Sequence, residues 1–154
     1  MLRIDETDKK ILELLQNNSK ITFKEIGEIL DMAASSIHHR VKKLEKNGII
    51  QNYTINIDPF KVGHGTIAIL GLSVDPHKMN QVVKELSKFE EIQLVVTTSG
   101  DHDIVIQMMA ENDKKLWRFV NKYIKTIDGV RSNIDVSSFI DIAKMTNYVH
   151  IRSD

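Results

Sequence analysis

The sequence predicts an α+β fold in two unlike halves, and three observations carry that prediction. The first part of the chain holds three amphipathic helical stripes in quick succession. From Thr66 the rhythm changes to strand–helix–strand–strand–helix–strand. The strands of that second half are apolar on both sides rather than on one.

The first helix is read in "DETDKKILELLQNN", where Ile11, Leu14 and Leu15 recur at helical spacing and Asp5 or Thr7 stands at the cap. The second lies in "ITFKEIGEIL". Thr22 and Glu25 form a capping box there, and Phe23, Ile26, Ile29 and Leu30 make the stripe. After "DMA", a third helix runs from about Ala34 to Asn47, and Gly48 suits the left-handed residue that ends it. Tyr53, Ile55 and Ile57 then alternate with polar residues, the pattern of a half-buried strand. Helix, tight turn, helix and strand together predict a winged helix-turn-helix over residues 1–52. A linker strand and the hinge "FKVGHG" are assigned to 53–64.

"TIAILGLSV" reads as a buried strand, with Asp75 and Pro76 placed as N-cap and first helical residue. The helix after them presents Met79, Val82, Val83, Leu86 and Phe89. "IQLVVTTS" and "DIVIQMMA" are strands joined at Gly100. Asn112 or Asp113 caps a long helix bearing Leu116, Phe119, Val120, Tyr123, Ile124 and Ile127, which Gly129 closes before "VRSNIDVSSFIDI". This βαββαβ order predicts a ferredoxin-like domain over 65–143, with an antiparallel sheet and two helices on one face, followed by a tail at 144–154. The uncovered apolar sheet face implies a dimer in which two sheets pack together.

Composition narrows the function. Twenty-one basic residues balance 21 acidic ones, so nucleic-acid binding requires a local patch. Absence of cysteine removes disulfide and thiol chemistry and fits a cytoplasmic setting. "MLRIDETDKK" does not read as a signal peptide, and no apolar run reaches the ~18 residues of a membrane span. The patch is found in the third helix, where His38, His39, Arg40, Lys42, Lys43 and Lys46 fall within nine residues. On a wheel of about 100° per residue, Ile37, Val41 and Leu44 form the core stripe. Ser35, His39, Lys42, Lys43 and Lys46 gather opposite, with Ser36 beside them and His38 and Arg40 flanking. Hydroxyls near the N-terminal end and cations further along suit a helix in a DNA major groove. Thr22 and Lys24 of the second helix join this candidate set. The plainer alternative is a solvated surface helix.

The stretch "IDETDKKILELLQNNSKITFKEIGEILDMAASSIHHRVKKLEKNGIIQNYTINIDPFKVG" resembles the N-terminal half of Lrp/AsnC (feast/famine) transcriptional regulators. Asp5, Asp8, Ile11, Leu12, Arg40-Val41, Leu44-Glu45, Gly48-Ile49-Ile50 and Tyr53 carry the likeness. "TSGDHDIVIQM" resembles the family's glycine–aspartate turn, and Asp128-Gly129-Val130 its signature before the last strand. The resemblance implies double-stranded DNA with a pseudo-palindromic site as partner, self-assembly to octamers or beyond, and an amino-acid effector. Thr98, Ser99, Gly100, Asp101, His102 and Asp103 of the turn, with Asn133 and Asp135 of the last strand, are then the effector candidates. From the residues alone, Gly100 is expected at φ > 0 exposing backbone N–H groups, with Asp101 or Asp103 facing an ammonium. A plain hairpin is the alternative. Two departures stand out: Ala33 where the family places an N-cap serine, worth about 1 kcal/mol of helix stability, and Asn133 and Asp135 where threonine is usual.

Neither an enzyme nor a metal protein is expected, and no cofactor is. Ser99, Asp101 and His102 lie too close on one turn to align as a triad. His38 and His39 are adjacent rather than four apart. The competing functions are an amino-acid-handling enzyme built on the ferredoxin-like domain and a nonspecific, chromatin-like DNA binder. Trp117 and the Met108-Met109 pair are assigned to packing.

Overall fold

Two reciprocal caps begin the fold. Asp5 Oδ1 accepts from the Asp8 backbone N–H at 2.8 Å, while Asp8 Oδ2 accepts from the Asp5 N–H at 3.3 Å, and helix α1 runs Glu6–Asn17. Thr22 and Glu25 repeat the device at α2, Phe23–Leu30, with Glu25 Oε2 2.7 Å from the Thr22 backbone nitrogen. Each box satisfies N–H groups that a helix start would otherwise leave unpaired. Helix α3 spans Ala34–Lys46 and ends at Gly48, whose φ is +68°. Ile11, Leu15, Ile26, Ile37 and Val41 meet in one core, all of them buried.

The turn between α2 and α3 is tight because of two residues. Asp31 takes the left-handed conformation at φ 52°, and the Met32 N–H donates to the Gly27 carbonyl at 2.8 Å. A Cβ on Gly27 would sit 2.5 Å from the Met32 carbonyl oxygen, which belongs to backbone and cannot swing away. Gly27→Ala is therefore expected to destabilise this unit by about 1–3 kcal/mol, as overpacking does. Thermal denaturation followed by circular dichroism checks it; an unchanged midpoint would mean that the turn has slack.

The computed structural model describes residues 4–151. The chain divides into two compact units, Ile57–Lys144 and the segment up to Asn56 joined by the residues from Met145 onward. The returning C-terminal segment is clasped by one amide: Gln16 Oε1 accepts from the Val149 N–H at 2.7 Å, and Gln16 Nε2 donates to its carbonyl at 3.1 Å. Nothing in the sequence pattern signals that clasp.

One expected element is missing. Residues 51–58 form no strand, and Tyr53, Ile55 and Ile57 are exposed. The alternation is present, but the described chain provides no neighbouring strand to take up its N–H and C=O groups. Without a partner an extended segment is not a ladder, so among the described residues the expected strand does not form.

In the second unit β1 (Thr66–Val74), β2 (Ile92–Thr97), β3 (Ile104–Ala110) and β4 (Val130–Ser138) form an antiparallel sheet in the order β2-β3-β1-β4. Asp75 and Pro76 open a short 3₁₀ turn, and α4 proper runs Met79–Leu86. Helix α5 (Asp113–Phe119), capped by the Asn112 side chain, continues through a wide π turn over Val120–Ile124. Ala68, Leu70, Leu72 and Val74 of β1 and Ile104, Ile106 and Met108 of β3 pack against Val82, Leu86, Leu116, Val120 and Ile124. The alternate residues Ile69, Leu94 and Val96 point from the other face and are 37%, 44% and 37% exposed. Trp117, expected as a partly buried packing residue, is 46% exposed, beside Leu116 but outside the stripe. Among the described residues no helix is long and apolar enough to cross a membrane.

Candidate functional site

Helix α3 buries Ile37, Val41 and Leu44, which fixes what its other side presents. Ser35, Ser36, His38, His39, Lys42, Lys43 and Lys46 are all exposed. Ala33 makes no side-chain cap bond, so the first N–H groups of α3 are left without one. His38 rests beside the Phe23 ring at 5.4 Å between centroids, at the flank of the face.

Arg40 departs from the expected contact set. Its guanidinium donates to Asp5 Oδ2 at 2.7 Å and to Asp8 Oδ1 at 2.8 Å. The Asp8 side chain is only 6% exposed, so Arg40 neutralises a buried carboxylate rather than facing solvent. The Asp5 carboxyl is held below its usual range, first by the Asp8 backbone N–H and then by Arg40. Pairing with two acids, one of them buried, outweighs Arg40's nominal place on the wheel.

The lysines are not equivalent. Lys42 Nζ lies 2.8 Å from Glu45 Oε2, and Tyr53 donates its O–H to Glu45 Oε1 at 3.1 Å. The Glu45 carboxyl is lowered, mainly by Lys42, while the Tyr53 phenol is pushed up to about 12 by loss of hydration and then by Glu45. Lys43 and Lys46 form no ion pair among the described residues, so their charge is uncompensated. On α2 the Thr22 hydroxyl is committed to Glu25, at 2.8 Å as donor, whereas Lys24 is exposed and only loosely near Glu28 at 3.9 Å.

The second candidate joins β2 to β3. The Thr98 N–H donates to the Asp103 carbonyl at 3.0 Å, and the Thr98 hydroxyl bonds the His102 carbonyl. One oxygen of the Asp103 carboxylate accepts from the Val74 N–H at 2.7 Å and so closes the end of β1. Gly100 does not adopt φ > 0; the left-handed glycines are Gly48, Gly63 and Gly129. Ser99, Gly100 and Asp101 are exposed.

His102 reaches over β1. A Cβ on Gly71 would lie 2.2 Å from its ring, and its Nε2 stands 3.4 Å from Asp135 Oδ2 on β4. Gly71 pairs with Asp135 in the register, so the absent side chain is what lets the imidazole cross. Two effector candidates from distant parts of the sequence are thereby adjacent on the open face. Asn133 is exposed two residues away on the same strand. No group of three or more metal-ligating side chains is found among the described residues.

Comparison with known proteins gives this layout a context. Residues 4–51 match a family described as winged helix-turn-helix DNA-binding, and residues 67–148 match the Lrp/AsnC ligand binding domain. The HTH-type transcriptional regulator FL11 of Pyrococcus horikoshii is 38% identical over 127 residues, 82% of this chain and 83% of that protein. The HTH-type transcriptional regulator LrpA of Pyrococcus abyssi is 37% identical over 127 residues, 82% of this chain and 90% of its own. A crystal structure of a Neisseria meningitidis transcriptional regulator in complex with L-Met superposes with a TM-score of 0.90 at 25% identity, covering 96% of this chain and 97% of that one. AsnC of E. coli shares the fold, with a TM-score of 0.89 at 24% identity over 96% of this chain and 99% of that one. Relatives named for regulation, not catalysis, share both halves in the same order, and the exposed face of α3 sits in the matched DNA-binding half. The chain belongs to the Lrp/AsnC family: it is a DNA-binding transcriptional regulator with a ligand-binding domain.

Proposed function

We propose that α3 enters the major groove of double-stranded DNA, with Ser35, Ser36 and His39 toward base edges and Lys43 and Lys46 along the phosphates. The observation that carries this is the order of exposed chemistry on α3, hydroxyl then imidazole then unpaired ammonium, opposite the buried Ile37, Val41 and Leu44. Lys24 adds a phosphate contact from α2, and His38 lies at the flank. Arg40 is withdrawn from the contact set, Lys42 is weakened by Glu45, and Thr22 contributes through its cap.

The open face of the sheet, with Ile69, Leu94 and Val96, takes a second copy. A two-fold dimer then presents two recognition helices, so the site is pseudo-palindromic, with half-sites a helical turn or multiples of one apart. A competition footprint tests this: a two-fold-related protected sequence is expected, and protection without sequence preference would point to a nonspecific binder.

The effector is an amino acid held at the turn. Asp101, exposed and in no ion pair among the described residues, supplies a carboxylate for its ammonium, while one Asp103 oxygen already serves the Val74 N–H. His102, poised beside Asp135, and the exposed Thr98, Ser99, Gly100 and Asn133 complete the candidate pocket. The related L-Met complex supports the ligand class. Such a ligand changes DNA binding only to the extent that its affinity differs between assembly states. Calorimetry with the twenty L-amino acids should show binding to at least one, lost in Asp101→Ala; uniformly silent titrations would contradict the sensing half of this reading.

A further inference from the structure

A crevice of about 570 Å³ opens at the other end of the sheet from the glycine–aspartate turn. Thr66 pairs with Ala110 at its end, and Leu72 pairs with Ile104 at the turn end. Six residues of β1 separate the two, roughly 20 Å at strand rise. The volume lies within the range of small-molecule pockets. Met108, Ala110, Phe119 and Tyr123 supply an apolar lining.

The walls are tied to the sheet. The Gly65 N–H donates to the Glu111 carbonyl at 3.1 Å, and a Cβ on Gly65 would meet that oxygen at 2.5 Å. The Met109 N–H donates to the Glu91 carbonyl at 2.9 Å. The aromatic wall is braced by Phe89, whose ring lies 5.1 Å from Phe119 and 5.9 Å from Tyr123.

Charge decides the ligand class. Lys115 and Glu111 pair with each other. Arg118 and Lys122 form no ion pair among the described residues, and neither does Glu91. Lys122 Nζ stands 4.9 Å over the Tyr123 ring, at the mouth. Two unpaired cations against one carboxylate leave a single positive charge over, beside an apolar floor. A guanidinium fork matches a carboxylate. We propose that this crevice is a second small-molecule site, for a monocarboxylic acid with an apolar body, independent of the glycine–aspartate turn.

The test is calorimetric titration of the full chain with 3-phenylpropanoate, 2-phenylethylamine and 3-phenyl-1-propanol, with methyl NMR of Met108 alongside. The acid should bind more tightly than the amine or the alcohol and shift the Met108 methyl. Arg118→Gln should weaken the acid by at least about tenfold, the loss of one charge-assisted contact. Asp101→Ala should leave it unchanged, which separates this site from the proposed effector turn. The proposal is overturned if the acid does not bind, if amine or alcohol binds as well, if Arg118→Gln makes no difference, or if the Met108 methyl stays still.

Discussion

Arg40→Ala is expected to cost the helical unit about 3 kcal/mol, because it strands a buried carboxylate. The Asp8 side chain is 6% exposed and loses its 2.8 Å partner, while Asp5 loses one at 2.7 Å. For a unit this small the loss lowers the melting midpoint by roughly 10–20 °C. Arg40→Lys keeps the charge but not the two-pronged reach and should fall between. The same ion pairs predict acid lability. The Asp5 carboxyl titrates lower in the folded chain than its ordinary 3.8, so its contribution is whole above that value and is lost as pH falls through the depressed one. Glu25, lowered by the Thr22 N–H, and Glu45, lowered by Lys42, act in the same direction. Thermal melts of wild type and Arg40→Ala at pH 7 and pH 3 should converge on acidification. A variant that melts like wild type at pH 7 would show that the ion pair contributes nothing.

The second large effect concerns assembly. Leu94 and Val96 stand half-exposed on the sheet face that no helix covers. Burying an apolar side chain of this size contributes about 1.5–3 kcal/mol, and a two-fold interface counts each residue twice. Leu94→Asp with Val96→Asp should therefore weaken the dimer by at least about a thousandfold, leaving monomers at micromolar concentration in sedimentation velocity. The helix-covered face is untouched, so the far-ultraviolet spectrum should persist. An undiminished dimer would place the interface elsewhere and remove the reason for a two-fold DNA site.

Much of the fold was legible because its signals are local. The Asp5 cap, the Thr22–Glu25 capping box, the Ile37–Val41–Leu44 stripe, the end of α3 at Gly48 and the four strands depend on residues a few positions apart. What escaped the sequence depends on distant partners. Tyr53, Ile55 and Ile57 alternate as a strand does, yet the described chain gives them nothing to pair with. Arg40 falls at the edge of the cationic face on a wheel, and only folding brings Asp5 and Asp8 to it. Likewise one Asp103 oxygen is taken by the Val74 N–H, 29 residues away, and His102 finds Asp135 because β1 carries glycine where the ring crosses. No pattern within the turn signals either the Val74 N–H on Asp103 or the reach of His102 to Asp135.

DNA recognition as proposed rests on α3 presenting uncompensated charge to a duplex. The decisive measurement is the affinity of wild type and Lys43→Ala/Lys46→Ala for one duplex across a series of salt concentrations. Without these two ammonium groups per chain, specific and random duplexes should bind more weakly alike. The slope of log affinity against log salt should flatten by about 0.9 for each phosphate no longer neutralised. Equal affinities and equal slopes, with both proteins folded, would contradict it.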